Sequence, residues 1–458
     1  MGGALSGCLF ARHALLPQGW RRDVLLEWNA TGDLTAVTDN AAAPLGAEVA
    51  EYVLPGMVNL HSHAFQRALG GMTEKAGEGP DSFWTWRDLM YRFARHITPE
   101  QMETIAAQLF AECLRHGYTA VCEFHYLQRD AAGALYAHPA ETAERVLAAA
   151  RLSGIGMTML PVLYSHAGFG AQPLQPEQAR FRTGADDVLR IVEALAPQRG
   201  GQVEVGFAPH SLRAADVAQI RAVAQALPAD RPIHIHIAEQ QGEVRQSLDV
   251  SGRRPVQYLY DQVDVDARWC LVHATHVQPD EVALMAASGA VAGLCPTTEA
   301  NLGDGLFPLA EFIAAGGRFG VGSDSHVSQS PVEELRWLEY GQRLQRQRRN
   351  VAATPDQRHV GDYLWQTALQ GGAQAAGRKL GALSPGCRAD LLVLDDAHVN
   401  LCGVDIADVL GSVLFCGNDN LVRDVLCGGQ WQVRDGRHVA QDAIATAYKR
   451  TLAQLRAL

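Results

Sequence analysis

The chain has 458 residues, 47% apolar and 19% charged, a balance that supports a large folded domain with a smaller companion and excludes a disordered protein. Its net charge of −11, with no prominent run of Lys or Arg, argues against a nucleic-acid partner. Nine cysteines, odd in number, scattered and without a Cys-x-x-Cys pair, predict reduced thiols rather than a disulfide framework.

Residues 1 to about 55 read as short strands (CLFARHALL, DVLLEWN, LTAVT, AEVAEYVL) between Gly, Asn and Asp turns. The opening segment has no charged stretch followed by a long apolar core, and no apolar span is long enough for a bilayer. A soluble cytoplasmic protein with no membrane partner is therefore expected. From 56 to 378, apolar runs alternate with helical patterns such as PEQMETIAAQLFAECLRHG and PVEELRWLEYGQRLQRQRR. The runs are PGMVNLHSH, YTAVCEFHY, GMTMLPVLYSH, VEVGFAPHS, RPIHIHIAE, RWCLVHATH, AVAGLCP and RFGVGSDSH. Eight such runs predict an α/β fold, a (β/α)8 TIM-like barrel, whose chemistry sits at the C-terminal strand ends. From 379 to 458 short strands return (GCRADLLVLD, LVRDVLCGGQWQVRDG), followed by a helix over AIATAYKRTLAQLRA. Two strand-rich ends around one long middle predict a small β domain, a β-sandwich, built from residues 1–55 and 379–458.

The polar residues fall where such a barrel would use them. His61 and His63 alternate at the end of an apolar run, so both side chains share a face. His236 with Glu239, then His273, then Asp324 follow, each at the end of its own run. A hydrolytic metal site needs nitrogen and oxygen ligands with one position open to water, and His61, His63, His236 and Asp324 supply that set for one divalent ion, zinc in first place. Iron or manganese would accept the same ligands. Such an ion lowers the pKa of its water to about 7. His273 is placed to contact the water, and Glu239, three residues past His236, to move protons to the departing nitrogen.

These residues resemble the amidohydrolase superfamily over nearly the whole chain, including the bipartite β domain with its SPGCRADLLVLD segment. Two-metal members bridge their ions with a modified lysine on the fourth strand. VEVGFAPHS contains no lysine, so the resemblance implies one metal and a deaminase-type reaction at a C=N carbon. Within the superfamily, NLHSHAFQRALGG, DSFWTWRDLMYRF, EFHY, LYSHAGFG, HSLRA, HIHIAEQ, CLVHATH, TEANLGDG and GSDSHVS are similar to the deiminases that act on N-formimidoyl-L-glutamate in bacterial histidine breakdown. The resemblance implies that Arg87 and Arg213 hold the two carboxylates of a small dicarboxylate substrate, as planar guanidinium forks do, with Gln66, Tyr126 and His210 completing the pocket. It also implies catalysis by Glu239, His273 and Asp324, and a homodimer.

Other readings stand beside this one. A related single-metal enzyme would take a guanidine, a triazine or a purine without needing Arg87 and Arg213. Hydrolysis to formamide and glutamate belongs to a two-manganese fold with Asp-rich motifs that this chain lacks. A barrel stripped of its ligands could serve as an assembly protein. His234 reads as a hydrogen-bonded core histidine one layer below His236, and His276 and His326 as structural. Trp84 and Trp86 are expected to pack a loop over the pocket, and RLQRQRR to form a solvated face.

Overall fold

A computed structural model describes residues 5–75 and 83–457. Four N-terminal strands, β1 (Leu5–Leu16), β2 (Gly19–Asn29), β3 (Leu34–Thr38) and β4 (Glu48–Pro55), lead into the middle of the chain. There the strands are β5 (Met57–Ser62), β6 (Tyr118–His125), β7 (Gly156–Leu163), β8 (Val203–Val205), β9 (Ala208–Pro209), β10 (Ile233–Ile237), β11 (Trp269–His273), β12 (Val291–Leu294) and β13 (Arg318–Val321). The strands β14 (Leu391–Leu394), β15 (Val422–Cys427), β16 (Gln430–Arg434) and β17 (Arg437–His438) precede a final helix, Gln441–Arg456. Among the described residues no helix is long and apolar enough to cross a membrane.

Every pairing among the strands β5 to β13 is parallel. β5–β6–β7–β8 form one run, with β9 added to β7, and β10–β11–β12–β13 form another. Parallel bridges Phe207–Ile233 and Ser62–Asp324 connect the two runs at both seams. Nearly every residue of these strands is buried, the burial that helices on the outer face impose on parallel strands. VEVGFAPHS is not one continuous strand. It breaks at Gly206, where a Cβ would lie 2.4 Å from the carbonyl oxygen of Pro232, so only glycine allows the neighbouring chain so close.

Helices alternate with these strands. The helix Pro99–Arg115 starts at Thr98, whose hydroxyl accepts from Gln101 N while the Gln101 side chain accepts from Thr98 N, a reciprocal cap. A helix follows β13 at Pro331–Arg346, and its RLQRQRR end is exposed beyond Arg343. It is not the last of the set: Val360–Ala376 forms a further helix against β5 and β13. It lies so close that a Cβ on Gly371 would approach the Phe319 carbonyl oxygen to 2.0 Å.

The terminal strands form one eight-stranded sheet in the order β17–β16–β15–β14–β4–β1–β2–β3. Its two faces follow the strand alternation. Leu54, Leu392, Leu394 and Val425 join the core of the parallel strands. Val53, Leu391, Val393 and Leu426 instead share a separate core with Leu26, Trp28 and Leu34. Strands far apart in the sheet order meet in that second core, so the sheet curls over itself. Backbone bonds from Leu34 N to Cys387 O and from Ala389 N to Gly32 O fasten the curl.

Candidate active site

The polar side chains gather where β5, β10, β11 and β13 end. Past the end of β13, Asp324 N donates to His61 O at 3.0 Å and His63 N donates to Asp324 O at 3.3 Å. These bonds carry the pairing beyond the strands and hold Asp324 beside both histidines. The strand ends adopt left-handed backbone at residues other than glycine: Ala238 (φ 51°), His273 (φ 68°), Ala274 (φ 48°), Asp324 (φ 46°) and His326 (φ 63°). Sparsely populated conformations of this kind collect at functional sites, where the surrounding fold over-determines them.

One ligand atom each from His61, His63, His236 and Asp324 lies within 4.8 Å of the others, and all four residues are buried. His63 Nδ1 faces the Phe124 carbonyl oxygen and His236 Nδ1 faces the His210 carbonyl oxygen, both at 2.9 Å. A carbonyl only accepts, so Nδ1 carries the hydrogen in each ring, and burial holds both pKa values below the ordinary histidine range. The Nε2 lone pairs are then left facing inward. His236 Nε2 stands 2.9 Å from His61 Nε2, while Asp324 Oδ1 lies 3.5 Å from His61 Nε2 and 3.3 Å from His63 Nε2. The inward lone pairs of His63 and His236 and a carboxylate crowded together repel unless a cation lies among them, and the two spacings to Asp324 match the ~3.3 Å edge of a tetrahedron with bonds of about 2.0 Å. The donor set fits a divalent metal. His273, Cys295 and Asp324 also approach one another within 4.8 Å, but burial drives the Cys295 thiol well above its usual pKa and keeps it protonated.

Beside this group Glu239 is buried, and desolvation raises its pKa to about 7 against the opposing pull of His273 and Arg213. Burial lowers the His273 pKa, but Glu239 and the hydrogen bond to Glu299 outweigh it and raise it to about 10. The pair therefore holds a proton near neutral pH, the condition for general acid–base work. His273 Nδ1 faces Glu299 Oε1 at 3.2 Å, and its Nε2 lies 3.7 Å from Asp324 Oδ2. Glu299 is itself fixed by the Cys295 N–H at 2.9 Å.

These groups open into a cavity lined by His63, Gln66, Trp86, Arg87, Met90, Tyr91, Tyr126, Tyr164, His210, Arg213, His236, Glu239, His273, Leu302 and Asp324. His61 sits behind it, fully buried. Gln66 Nε2 donates to the Tyr126 hydroxyl at 2.8 Å, whereas Gln66 Oε1 is buried with no partner among the described residues. Arg213 Nη2 lies 3.9 Å from Glu239 Oε2, and the Arg87 guanidinium lies 5.3 Å from the centre of the Tyr91 ring.

The amidohydrolase family profile matches residues 52–432. The chain belongs to the amidohydrolase family. It is 54% identical over 448 residues to the formimidoylglutamate deiminase of Pseudomonas aeruginosa PAO1, covering 98% of this chain and 99% of that one. A crystal structure of an amidohydrolase from Brucella melitensis superposes with a TM-score of 0.93 at 43% identity, over 98% of this chain and all of the other. A zinc-bound adenosine deaminase from Xanthomonas campestris shares the fold, with a TM-score of 0.80 at 20% identity over 98% of each chain. This amidohydrolase is thus an enzyme of the class that hydrolyses C–N bonds.

Every site residue read from the sequence of this amidohydrolase reaches the cavity or the metal group behind it. His234 does not: its Nε2 meets the Ala375 carbonyl oxygen at 2.8 Å. His276 Nδ1 meets the Gln241 side chain, and His326 Nε2 meets the Ser62 hydroxyl at 3.1 Å. Trp86 lines the cavity, whereas the side chain of Trp84 lies outside the described residues. Sequence reasoning missed Glu299, Tyr91 and Tyr164. Glu299 stood within the TEANLGDG segment, and its place in the first turn of the helix Pro296–Leu302, just after β12, was the available signal.

Proposed function

We propose that this enzyme hydrolyses N-formimidoyl-L-glutamate to N-formyl-L-glutamate and ammonia, as a zinc-dependent deiminase of histidine catabolism in the cytoplasm. We read its scaffold as a closed (β/α)8 barrel over residues 56–378, with a β-sandwich and final helix contributed by 1–55 and 379–458. The observation that carries the reading is a single cavity joining the metal group and Glu239 to two arginines, Arg87 and Arg213. The 54% identity to a formimidoylglutamate deiminase over nearly the full length supports the same substrate.

In this reading His61, His63, His236 and Asp324 hold one zinc ion, which when bound supplies an acidified water and polarises the C=N group. The chain's own residues do the rest. Arg87 and Arg213 each take a carboxylate of the substrate, fixing the formimidoyl carbon before the strand ends. The unpartnered Gln66 Oε1 accepts an N–H of the amidine. The Asp324 carboxylate receives the proton lost as water adds to the formimidoyl carbon, while the His273 imidazolium, held by Glu299, donates its Nε2–H toward the entering oxygen. Protonated Glu239 gives one proton to the imine nitrogen as water adds, the proton taken up by Asp324 then reaches the same nitrogen, and the C–N bond breaks; ammonia leaves as the hydroxyl proton passes back to Glu239 and the formyl C=O forms. One water is consumed and one ammonia released, and the bond to the glutamate nitrogen stays intact.

Purified, zinc-loaded protein incubated with N-formimidoyl-L-glutamate tests this directly when ammonia and formamide are followed together. Ammonia with N-formylglutamate is the expected result. Formamide would assign cleavage to the other C–N bond, and silence in both channels would discard this substrate in favour of guanidines, triazines and purines.

A further inference from the structure

Two tyrosines on the cavity wall are joined by a glutamine that no functional residue yet explains. Tyr91 comes from the helix Phe83–Ala94, Tyr164 follows β7, and Gln178 lies in the short 3-10 turn Pro176–Phe181. All three are buried. Gln178 Oε1 accepts the Gln175 N–H at 2.9 Å, which fixes the orientation of the amide and aims its nitrogen at the tyrosines. Gln178 Nε2 then meets the Tyr164 hydroxyl at 2.8 Å and the Tyr91 hydroxyl at 3.3 Å. The two hydroxyls stand 3.2 Å apart.

Counting hydrogens decides what remains. Both amide hydrogens of Gln178 are given, one to each phenol oxygen. The contact between the phenols uses one of their two hydrogens. The other has no acceptor among the described residues, and both rings line the cavity that contains Arg87 and Arg213. Burial holds the Tyr164 hydroxyl well above its usual pKa, so it stays a neutral donor. The pair also ties the wall together, because the Arg87 guanidinium lies over the Tyr91 ring while the Tyr164 ring meets the His210 ring edge-on at 4.7 Å.

We propose that Tyr91 and Tyr164, set by Gln178, form a third carboxylate-binding element between Arg87 and Arg213 and donate one hydroxyl hydrogen to a carboxylate of the ligand. The inference rests on the dicarboxylate reading above and extends it. A phenol donor in a cavity that also holds two guanidinium groups prefers an anionic oxygen to the neutral rim of a purine, so the element selects for acids. Reversing the bond between the phenols moves the spare hydrogen from one ring to the other. Each tyrosine can therefore stand in for its neighbour.

That exchange gives the element a signature that simple packing lacks. The test measures glutarate affinity by calorimetry, and KM and kcat for N-formimidoyl-L-glutamate, for Tyr91→Phe, Tyr164→Phe and the double variant. Each single change is expected to weaken glutarate two- to threefold, and the double to weaken it more than the product of the singles, roughly tenfold or beyond, as loss of a hydrogen bond to a charged group does. The loss should appear in KM with kcat held. A double variant with wild-type glutarate affinity overturns the proposal, as does a loss equal to the product of the singles. Wild type that binds glutarate but leaves formimidoylglutamate untouched would remove the substrate reading while the carboxylate element stands; wild type that binds no glutarate would overturn the element.

Discussion

The chain carries two His-x-His pairs on parallel strands, and they end in different chemistry. His61 and His63 straddle the end of β5, and both turn a ring nitrogen toward Asp324. His234 and His236 both lie inside β10, and only His236 reaches that centre. His234, one layer deeper, is hydrogen-bonded to the carbonyl of Ala375 in the helix behind. Spacing of two puts both members of each pair on one face, but depth along the strand decides which ring meets the metal and which is consumed by the fold. Function here belongs to groups left with an unspent valence.

The largest expected effect breaks the second pair at its functional member. His236→Ala should lose bound metal, read by elemental analysis, and lower kcat/KM by about a thousandfold or more. Retention of one metal per chain with normal turnover would move the site elsewhere. Glu239→Gln separates metal binding from proton transfer: metal content should stay near one per chain while kcat falls by about 10²–10⁴. Arg213→Met keeps the volume but removes the fork, and KM for formimidoylglutamate should rise roughly 10- to 100-fold with metal retained. His234→Leu should leave metal content unchanged and cost about 1–3 kcal/mol in denaturant unfolding, because the Ala375 carbonyl loses its buried partner. Metal loss in that variant would erase the distinction between the two histidines.

The sequence made the eight apolar runs and their polar ends legible because parallel strands are apolar along their length, so a His, Glu or Asp at the end stands out. His61, His63, His236, Glu239, His273 and Asp324 were all found by that contrast. The helix Val360–Ala376 was not, since Gly371 and Gly372 lie at its contact with β13 and interrupt the apolar stripe that marks a helix. Tyr91, Tyr164 and Gln178 carried no signal at all. Their hydrogen bonds join positions 73, 87 and 14 residues apart, and nothing local in the sequence announces contacts of that range. Glu299 is 26 residues from the histidine it orients and reads in isolation as an ordinary helical acid.

A last histidine extends the comparison to pH. His125, at the end of β6, points away from the cavity and meets Thr142 Oγ1 at 2.9 Å, while the Thr142 hydroxyl donates to Leu127 O. Thr142 has already spent its hydrogen, so His125 Nε2 must carry one. Burial, with smaller contributions from His63 and Arg180, lowers the His125 pKa to about 3. The unfolded chain takes up this proton near pH 6.5 and the folded chain does not, so the folded state loses stability as pH falls through that window toward 3 and keeps it above. Between pH 7 and pH 5 the loss from this ring is about 2 kcal/mol. His125→Gln keeps a donor for Thr142 without the titration, and its unfolding free energy should fall less than that of the parent over the same interval, by about that amount. Parallel curves for the two proteins would mean that His125 is protonated in the folded state, and that the hydrogen-bond direction derived from Thr142 does not exclude the second proton.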